Sequence, residues 1–373
     1  MVALTTAIGL MSGTSMDGID VAVLRTDGEA VVQQGPSLFV PYDDAFRARI
    51  EAGLKTAKTI AKRAERPGDL AELERDLTLR HAQAVQAFRT QYQDWRAELV
   101  GFHGQTILHR PGEALTVQLG DGALLARETG LPVVYDMRAA DMTAGGQGAP
   151  LVPAYHQALA NSLAPDFRAK MPVAFVNIGG ISNVTYVPAD GDPIAFDSGP
   201  GNQLIDQWMQ REGDMAFDED GNTAAKGSSS AKIVGDYLRL PFFSYPAPKS
   251  LDRGDFSLAG LEGLSLSDGA RTLAALAAEA VFAARNHMPE EPELWILCGG
   301  GRKNPHIVGD LRRLAGTTGT VVVAAEDVGL DGDAMEAEAW AYLAVRSQQG
   351  LPLTWPATTG CRKPMPGGVL VQP

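Results

Sequence analysis

The stretch Thr6–Asp20, TAIGLMSGTSMDGID, constrains this chain more than any other. An apolar run, Ala7 to Met11, enters the polar tip Ser12-Gly13-Thr14-Ser15, passes Asp17-Gly18 and leaves as a second apolar run, Val21 to Leu24. Apolar runs of this length around a Gly/Ser/Asp cluster read as strand, tight turn, strand. Gly13 and Gly18 allow unusual backbone angles and close approach of a ligand, and successive N–H groups at such a tip can form an anion-binding nest. An ordinary Gly/Ser/Asp hairpin has the same local pattern, so the rest of the chain must decide between the two.

At 373 residues the chain is long enough for two domains, each with its own core. Many of its 41 glycines fall in clusters such as Gly145-Gly146, Gly179-Gly180 and Gly299-Gly300-Gly301, which points to loops that hug a ligand or turn tightly. The formal net charge of −13 repels nucleic acid and anionic membrane surfaces, so an anionic substrate needs a local cluster of donors working against that field. The two cysteines, Cys298 and Cys361, lack metal-type spacing and are too few for a disulfide framework; they read as buried small residues in a reducing compartment. No charged leader precedes an apolar core, and no stretch reaches the roughly 18 apolar residues of a membrane span. A soluble cytoplasmic protein is expected.

Residues 43–93 read as helical. Asp43 and Asp44 can cap a first helix through Leu54, and Leu70, Leu73, Leu77, His81, Val85 and Phe88 then recur at helical spacing. His81 on that stripe reads as a core histidine rather than a ligand. Trp95 to Phe102 reads as a strand running into His103-Gly104-Gln105-Thr106, and Leu131 to Tyr135 as a strand closing on Asp136-Met137-Arg138. Open α/β sheets place ligands at the carboxyl ends of their strands, which favours a functional reading of His103, Gln105, Asp136 and Arg138 over the alternative of turn capping. The glycine-rich stretch 139–150 reads as a hinge or lid. Val173 to Ile178, Gly179-Gly180 and Ser182 to Val187 form a second hairpin with Asn177, Ser182 and Asn183 near its tip, echoing the first.

Asp197 follows the apolar residues 194–196 and precedes Ser-Gly-Pro-Gly-Asn and a helix from Gln203. It reads either as a helix cap or as a general base held in one geometry. Residues 213–227 are expected to be exposed, and Lys249 and Arg253 read as surface charges. Leu266 to Met288 forms a long alanine-rich helix, Leu294 to Cys298 a strand entering GGGRKN, and Asp333 to Ser347 a helix carrying Glu336 and Glu338. A triple-glycine turn lets a flat base lie against the backbone. GxxxxGK[ST], HExxH and GxSxG are absent, and GGGRKN has Asn304 where the dinucleotide fingerprint needs glycine.

Taken in order, GLMSGTSMDGID, GFHGQTILHRP, DMRAADMTAGGQGAPLVP, VNIGGISNVT, FDSGPGN and CGGGRKN resemble the anhydro-N-acetylmuramic acid kinases over nearly the whole chain. The resemblance implies an α/β, two-domain actin/hexokinase/Hsp70-like ATPase fold with a deep interdomain cleft. Residues 1–138 plus 332–373 would form one domain and 139–331 the other. It implies ATP and Mg²⁺, and phosphorylation at the 6-oxygen of 1,6-anhydro-N-acetylmuramic acid, with water opening the ring, in cell-wall recycling.

Position by position, Gly13, Thr14, Ser15, Met16, Asp17, Gly18, Ile19 and Asp20 match the phosphate loop. Asn177, Gly179, Gly180 and Asn183 match the second phosphate hairpin, and Gly299, Gly300, Gly301 and Asn304 the adenosine turn. Asp197 matches the catalytic carboxylate, while Ser12, His103, Gln105, Arg138 and Glu336 fall on the sugar side. No metal ligand is assigned, and a homodimer without nucleic-acid or membrane partners is implied. Two rivals remain: a kinase for another anhydro sugar such as levoglucosan, which lacks a lactyl acid to pair with Arg138, and a non-enzymatic ATP-driven conformational protein.

Overall fold

The structure, a computed structural model, describes residues 3–13, 15–251 and 254–373. Thr14 and Arg253, both named from the sequence, lie outside the described residues. The strands in chain order are β1 (Thr5–Ser12), β2 (Gly18–Thr26), β3 (Val32–Pro41), β4 (Leu99–Arg110), β5 (Leu115–Leu119) and β6 (Val133–Tyr135). They continue as β7 (Val173–Ile178), β8 (Ile181–Val187), β9 (Ile194–Pro200), β10 (Leu294–Cys298), β11 (Val321–Ala324) and β12 (Val369–Val371). The class is α/β.

The chain divides into two compact units, Met1–Ser162 with Ala334–Pro373, and Leu163–Asp333. The stretch 139–162, grouped with the second domain on sequence, packs with the first unit. Buried Asp141 accepts hydrogen bonds from the Thr354 and Thr359 hydroxyls, and the helix Pro153–Ser162 sends the Tyr155 hydroxyl to Glu338 (2.8 Å). The glycine-rich loop is therefore tied down, and it opens with a short helix, Ala139–Thr143.

In the first unit the described strands form a seven-stranded sheet in the order β12-β6-β4-β1-β2-β3, with β5 pairing off β4. Its central strands are apolar without alternation because both faces are covered. Ile8, Leu10, Val21 and Phe102 bury against Leu73, Leu77 and Phe88 of the helix Leu70–Gln91. On the other face lies the helix Met335–Gln348, seated on Gly9 and Gly101, which are register partners on β1 and β4. A Cβ at either glycine would overlap the backbone of that helix, at Ala337 and Trp340. The helix Asp44–Ala57 is capped by Asp43, whose carboxylate accepts the Phe46 N–H (2.8 Å). His81 is fully buried with Nδ1 2.8 Å from the Leu77 carbonyl, the core placement expected of it.

In the second unit a five-stranded sheet runs β11-β10-β7-β8-β9, leaving β9 at an edge. Its core gathers Val176, Phe196, Trp208, Leu273 and Trp295 around the alanine-rich helix Leu266–Ala283. Trp208 lies so close to that helix that Gly269 has no room for a side chain. Cys298 and Cys361 are buried and unbridged, as their number suggested.

Candidate active site

On the first unit, β1 and β2 form the hairpin expected at the N-terminus. Neither Gly13 nor Gly18 takes a left-handed angle; that falls to Met16 at φ 56°, whose N–H donates to the Gly13 carbonyl (3.2 Å). Gly18 has a structural reason, since a Cβ there would strike Val40 and Phe39 on β3. A Cβ at Gly13 would make only ordinary contacts, with Ser15 and Met11, and its φ is ordinary, so no described residue requires glycine there. Ser15 donates to the Asp17 carboxylate, while Ile19 is buried in the sheet and Asp20 is half-buried.

His103 and Gln105 lie inside β4, not at the end of a shorter strand: β4 runs twelve residues and its second half pairs with β5. A register shift between Leu10 and Ser12 brings Ser12 opposite Gln105. The buried Ser12 hydroxyl donates to Gln105 Oε1 (2.6 Å) and lies 2.9 Å from the Tyr42 hydroxyl; Gln105 Nε2 donates to the Gly13 carbonyl (3.1 Å). Ser12 and Gln105 thus brace the backbone of the hairpin tip at Gly13.

Arg138 follows β6 and is half-buried, with its Nη1 donating to the Gly148 carbonyl (2.8 Å). Its Nη2 lies 3.1 Å from His103 Nε2, and both residues pack on Trp340. Burial, then the neighbouring Arg138 charge, holds His103 well below the ordinary histidine range, so it is neutral at pH 7 and its Nε2 accepts from Arg138. Burial lowers Arg138 to about 10, opposed by Glu336 and Asp141, which leaves it charged. Arg138 Nε is buried and has no hydrogen-bond partner among the described residues. Buried donors are rarely left unpaired, and one of this kind fits a ligand acceptor. Glu336 is exposed at the start of its helix.

On the second unit, β7 and β8 make the second hairpin, with Asn177 opposite Asn183 and Asn183 opposite Asp197 on β9. Gly179, Gly180 and Gly300, like Gly13, have ordinary φ angles, and a Cβ at any of them would meet the described residues only at ordinary contact distance. Gly299 differs: φ is +73° and a Cβ would overlap Asn177 Oδ1. Gly301 is pressed against Ile178. Asn304 uses its side-chain oxygen to cap the helix Pro305–Ala315, accepting the His306 (3.0 Å) and Ile307 (3.4 Å) N–H groups.

Asp197 lies within β9 rather than at its end, and the helix Gln203–Gly213 begins six residues later with Asn202 at its N-cap. Asp197 therefore is not that helix's cap. Its N–H donates to the Lys249 carbonyl (2.9 Å) and its Oδ2 accepts the Leu251 N–H (2.7 Å). Lys249 is no surface charge. It is 8% exposed, its Nζ donates to the Phe242 carbonyl (3.0 Å), and burial pulls the amine down to about 8.

The second unit also holds a cavity of about 440 Å³ lined by Asn202, Ile205, Asp206, Phe217, Gly300 and Lys303. Desolvation pushes Asp206 up to about 6. The stretch 213–227 is not uniformly exposed: Asp218 is buried and accepts the Thr223 and Ala224 N–H groups (2.7 and 3.0 Å).

A family model described as anhydro-N-acetylmuramic acid kinase matches residues 5–373. The chain belongs to that family. An anhydro-N-acetylmuramic acid kinase from Agrobacterium fabrum is 58% identical over 369 residues, 98% of each chain, and one from Rhizobium etli is 54% identical over 370 residues, 99% of each. Among solved structures, a ROK family glucokinase from Streptomyces griseus in complex with glucose and AMPPNP aligns over 93% of this chain and all of that one, at 14% identity and a TM-score of 0.42. So loose a likeness assigns nothing to individual residues. The observed architecture is α/β, the class expected from the sequence.

Sequence reasoning passed over Asp206, Lys303, Asp141 and the burial of Lys249. Asp206 stands one helical turn after the FDSGPGN motif, a spacing that could have drawn attention to it. Nothing near Lys249 in the sequence announces its burial.

Proposed function

We infer that this chain is an ATP-dependent kinase of 1,6-anhydro-N-acetylmuramic acid in cell-wall recycling. The observation that carries the reading is membership of the anhydro-N-acetylmuramic acid kinase family over residues 5–373. The reaction couples phosphoryl transfer to ring opening. Asp197 takes a proton from a water as the water oxygen bonds to the anomeric carbon. The bond from that carbon to O6 breaks, O6 bonds to the γ-phosphorus, and ADP departs with the electrons of the γ-phosphoryl bond. The product is N-acetylmuramic acid 6-phosphate.

Phosphoryl transfer needs mainly positioning and charge neutralisation. The unencumbered glycines Gly13, Gly179 and Gly180 support close approach of phosphates to backbone N–H groups. The cavity beside Gly300, large enough for a nucleoside, supports adenosine binding there. Arg138 is assigned to the substrate carboxylate, which its planar fork and orphan Nε suit. Mg²⁺ enters with ATP. Asp17 and Asp20 are the carboxylates within the phosphate loop, placed to meet an ion that phosphates and water would chiefly hold. When bound, the ion neutralises phosphate charge. No helix among the described residues is long and apolar enough to cross a membrane. We place the enzyme in the cytoplasm as a homodimer.

The test is ADP release that depends on the anhydro sugar, with Asp197→Asn as control. The variant is expected to bind ATP normally and lose turnover. ATP consumption indifferent to the sugar would contradict the kinase reading, and an active variant would remove Asp197 as the base.

A further inference from the structure

Lys249 is a buried cation to which the chemistry above gives no task. It stands next to last in the proline-rich segment PFFSYPAPKS, which contributes no strand to the sheet among the described residues. Yet this segment does what a further strand would do. Asp197 sits on β9, an edge strand among the described residues, and an edge leaves outward N–H groups without ladder partners. At Asp197 that place is filled by the Lys249 carbonyl, 2.9 Å from the Asp197 nitrogen, and two residues on by the Leu251 N–H, 2.7 Å from Oδ2. Main chain and carboxylate of Asp197 are thus both held by residues 249–251.

The amine ties residue 249 back to the start of the segment. Nζ folds back to the Phe242 carbonyl (3.0 Å), stands 4.5 Å from the centre of the Phe242 ring and lies 3.0 Å from His287 Nε2. The same His287 nitrogen is 2.9 Å from the Phe243 carbonyl, so Nε2 either accepts from the amine or donates to that carbonyl, not both; the imidazole packs edge-on against Phe196, the residue before Asp197 (5.7 Å). One buried anchor therefore joins both ends of the segment, the turn that follows the helix Leu266–Ala283 and the strand carrying Asp197.

We propose that Lys249, anchored at the Phe242 carbonyl and packed beside His287, is a positioning residue that fixes the Asp197 carboxylate for proton abstraction. The inference rests on the reading of Asp197 as the base. A base displaced by as little as an ångström loses up to about 100-fold in rate while substrates still bind.

The test uses the full-length enzyme with ATP and 1,6-anhydro-N-acetylmuramic acid, comparing Lys249→Met, His287→Phe, the double variant and Asp197→Asn. Lys249→Met keeps an unbranched apolar side chain but removes the amine. It is expected to lose about 10- to 100-fold in kcat, with ATP affinity and the sugar KM within about twofold of wild type. His287→Phe should lose kcat in the same way, and the double variant no more than the worse single, because the two act as one unit. A folded Lys249→Met enzyme with wild-type kcat overturns the proposal, as do losses that multiply in the double variant or that fall on KM alone. Should Lys249→Met fail to fold, wild-type kcat in His287→Phe overturns it equally. An active Asp197→Asn enzyme contradicts the base assignment itself, whereas an inactive one beside a fully active Lys249→Met contradicts only the positioning role.

Discussion

At the scale of the residue, the histidines divide by burial. Three are nearly or fully buried: His81, His103 and His156. Burial lowers all three, His81 to about 4 and His156 to about 3. The unfolded chain therefore binds protons that the folded chain refuses, and stability falls as the pH drops from about 6.5 towards 4. His81 alone costs roughly 2 kcal/mol at pH 5, since each tenfold loss of proton affinity on folding is worth about 1.4 kcal/mol. Thermal midpoints should fall as the pH drops below 6.5, less steeply in His81→Gln, which carries no charge to bury; a midpoint that rises on acidification through this window would contradict the assignment. Arg138 remains charged throughout. Replacing it by Met should raise the KM for 1,6-anhydro-N-acetylmuramic acid at least tenfold, in keeping with a lost charge-assisted pair of about 1.5–3 kcal/mol. Any activity on levoglucosan, which has no carboxylate, should change little; equal loss on both sugars would contradict the lactyl assignment.

At the scale of the element, the glycine pair under the helix Met335–Gln348 sets how closely that helix sits on β1 and β4. Gly101→Ala must push the helix away and should cost at least the 1–3 kcal/mol typical of overpacking. Denaturant midpoints would show it, and an unchanged midpoint would mean the close seat is not needed. Elements such as β1, β7 and β10 were legible in the sequence because their apolar runs are unbroken, the mark of strands covered on both faces. The long helices were legible from their spacing, and Asp43 from its place before the first of them. The true length of β4 was not, because its polar residues from His103 onward look like the end of a strand; they remain in the ladder only because β5 returns beside them. Asp141 was also illegible, since its partners Thr354 and Thr359 are more than 200 residues away in sequence.

At the scale of the whole molecule, a chain of net charge −13 handles a nucleotide and an acidic sugar, so local donors must overcome a field of the wrong sign. That requirement is visible in the sequence as donor-rich glycine clusters, and the structure separates them into two kinds. Gly18, Gly201, Gly299 and Gly301 are explained by neighbours within the protein, whereas Gly13, Gly179, Gly180 and Gly300 are not. Motif order alone told the family, since it survives in one dimension; the anchoring of residues 249–251 did not, because Phe242, Lys249 and His287 meet only in three. The most direct measurement is the reaction run with ATP and 1,6-anhydro-N-acetylmuramic acid in ¹⁸O-labelled water, with the product resolved by mass spectrometry. The expected product is N-acetylmuramic acid 6-phosphate carrying one label on the anomeric oxygen and none in the phosphate. Label in the phosphate, or a phosphorylated sugar with its anhydro ring intact, would contradict the coupled mechanism.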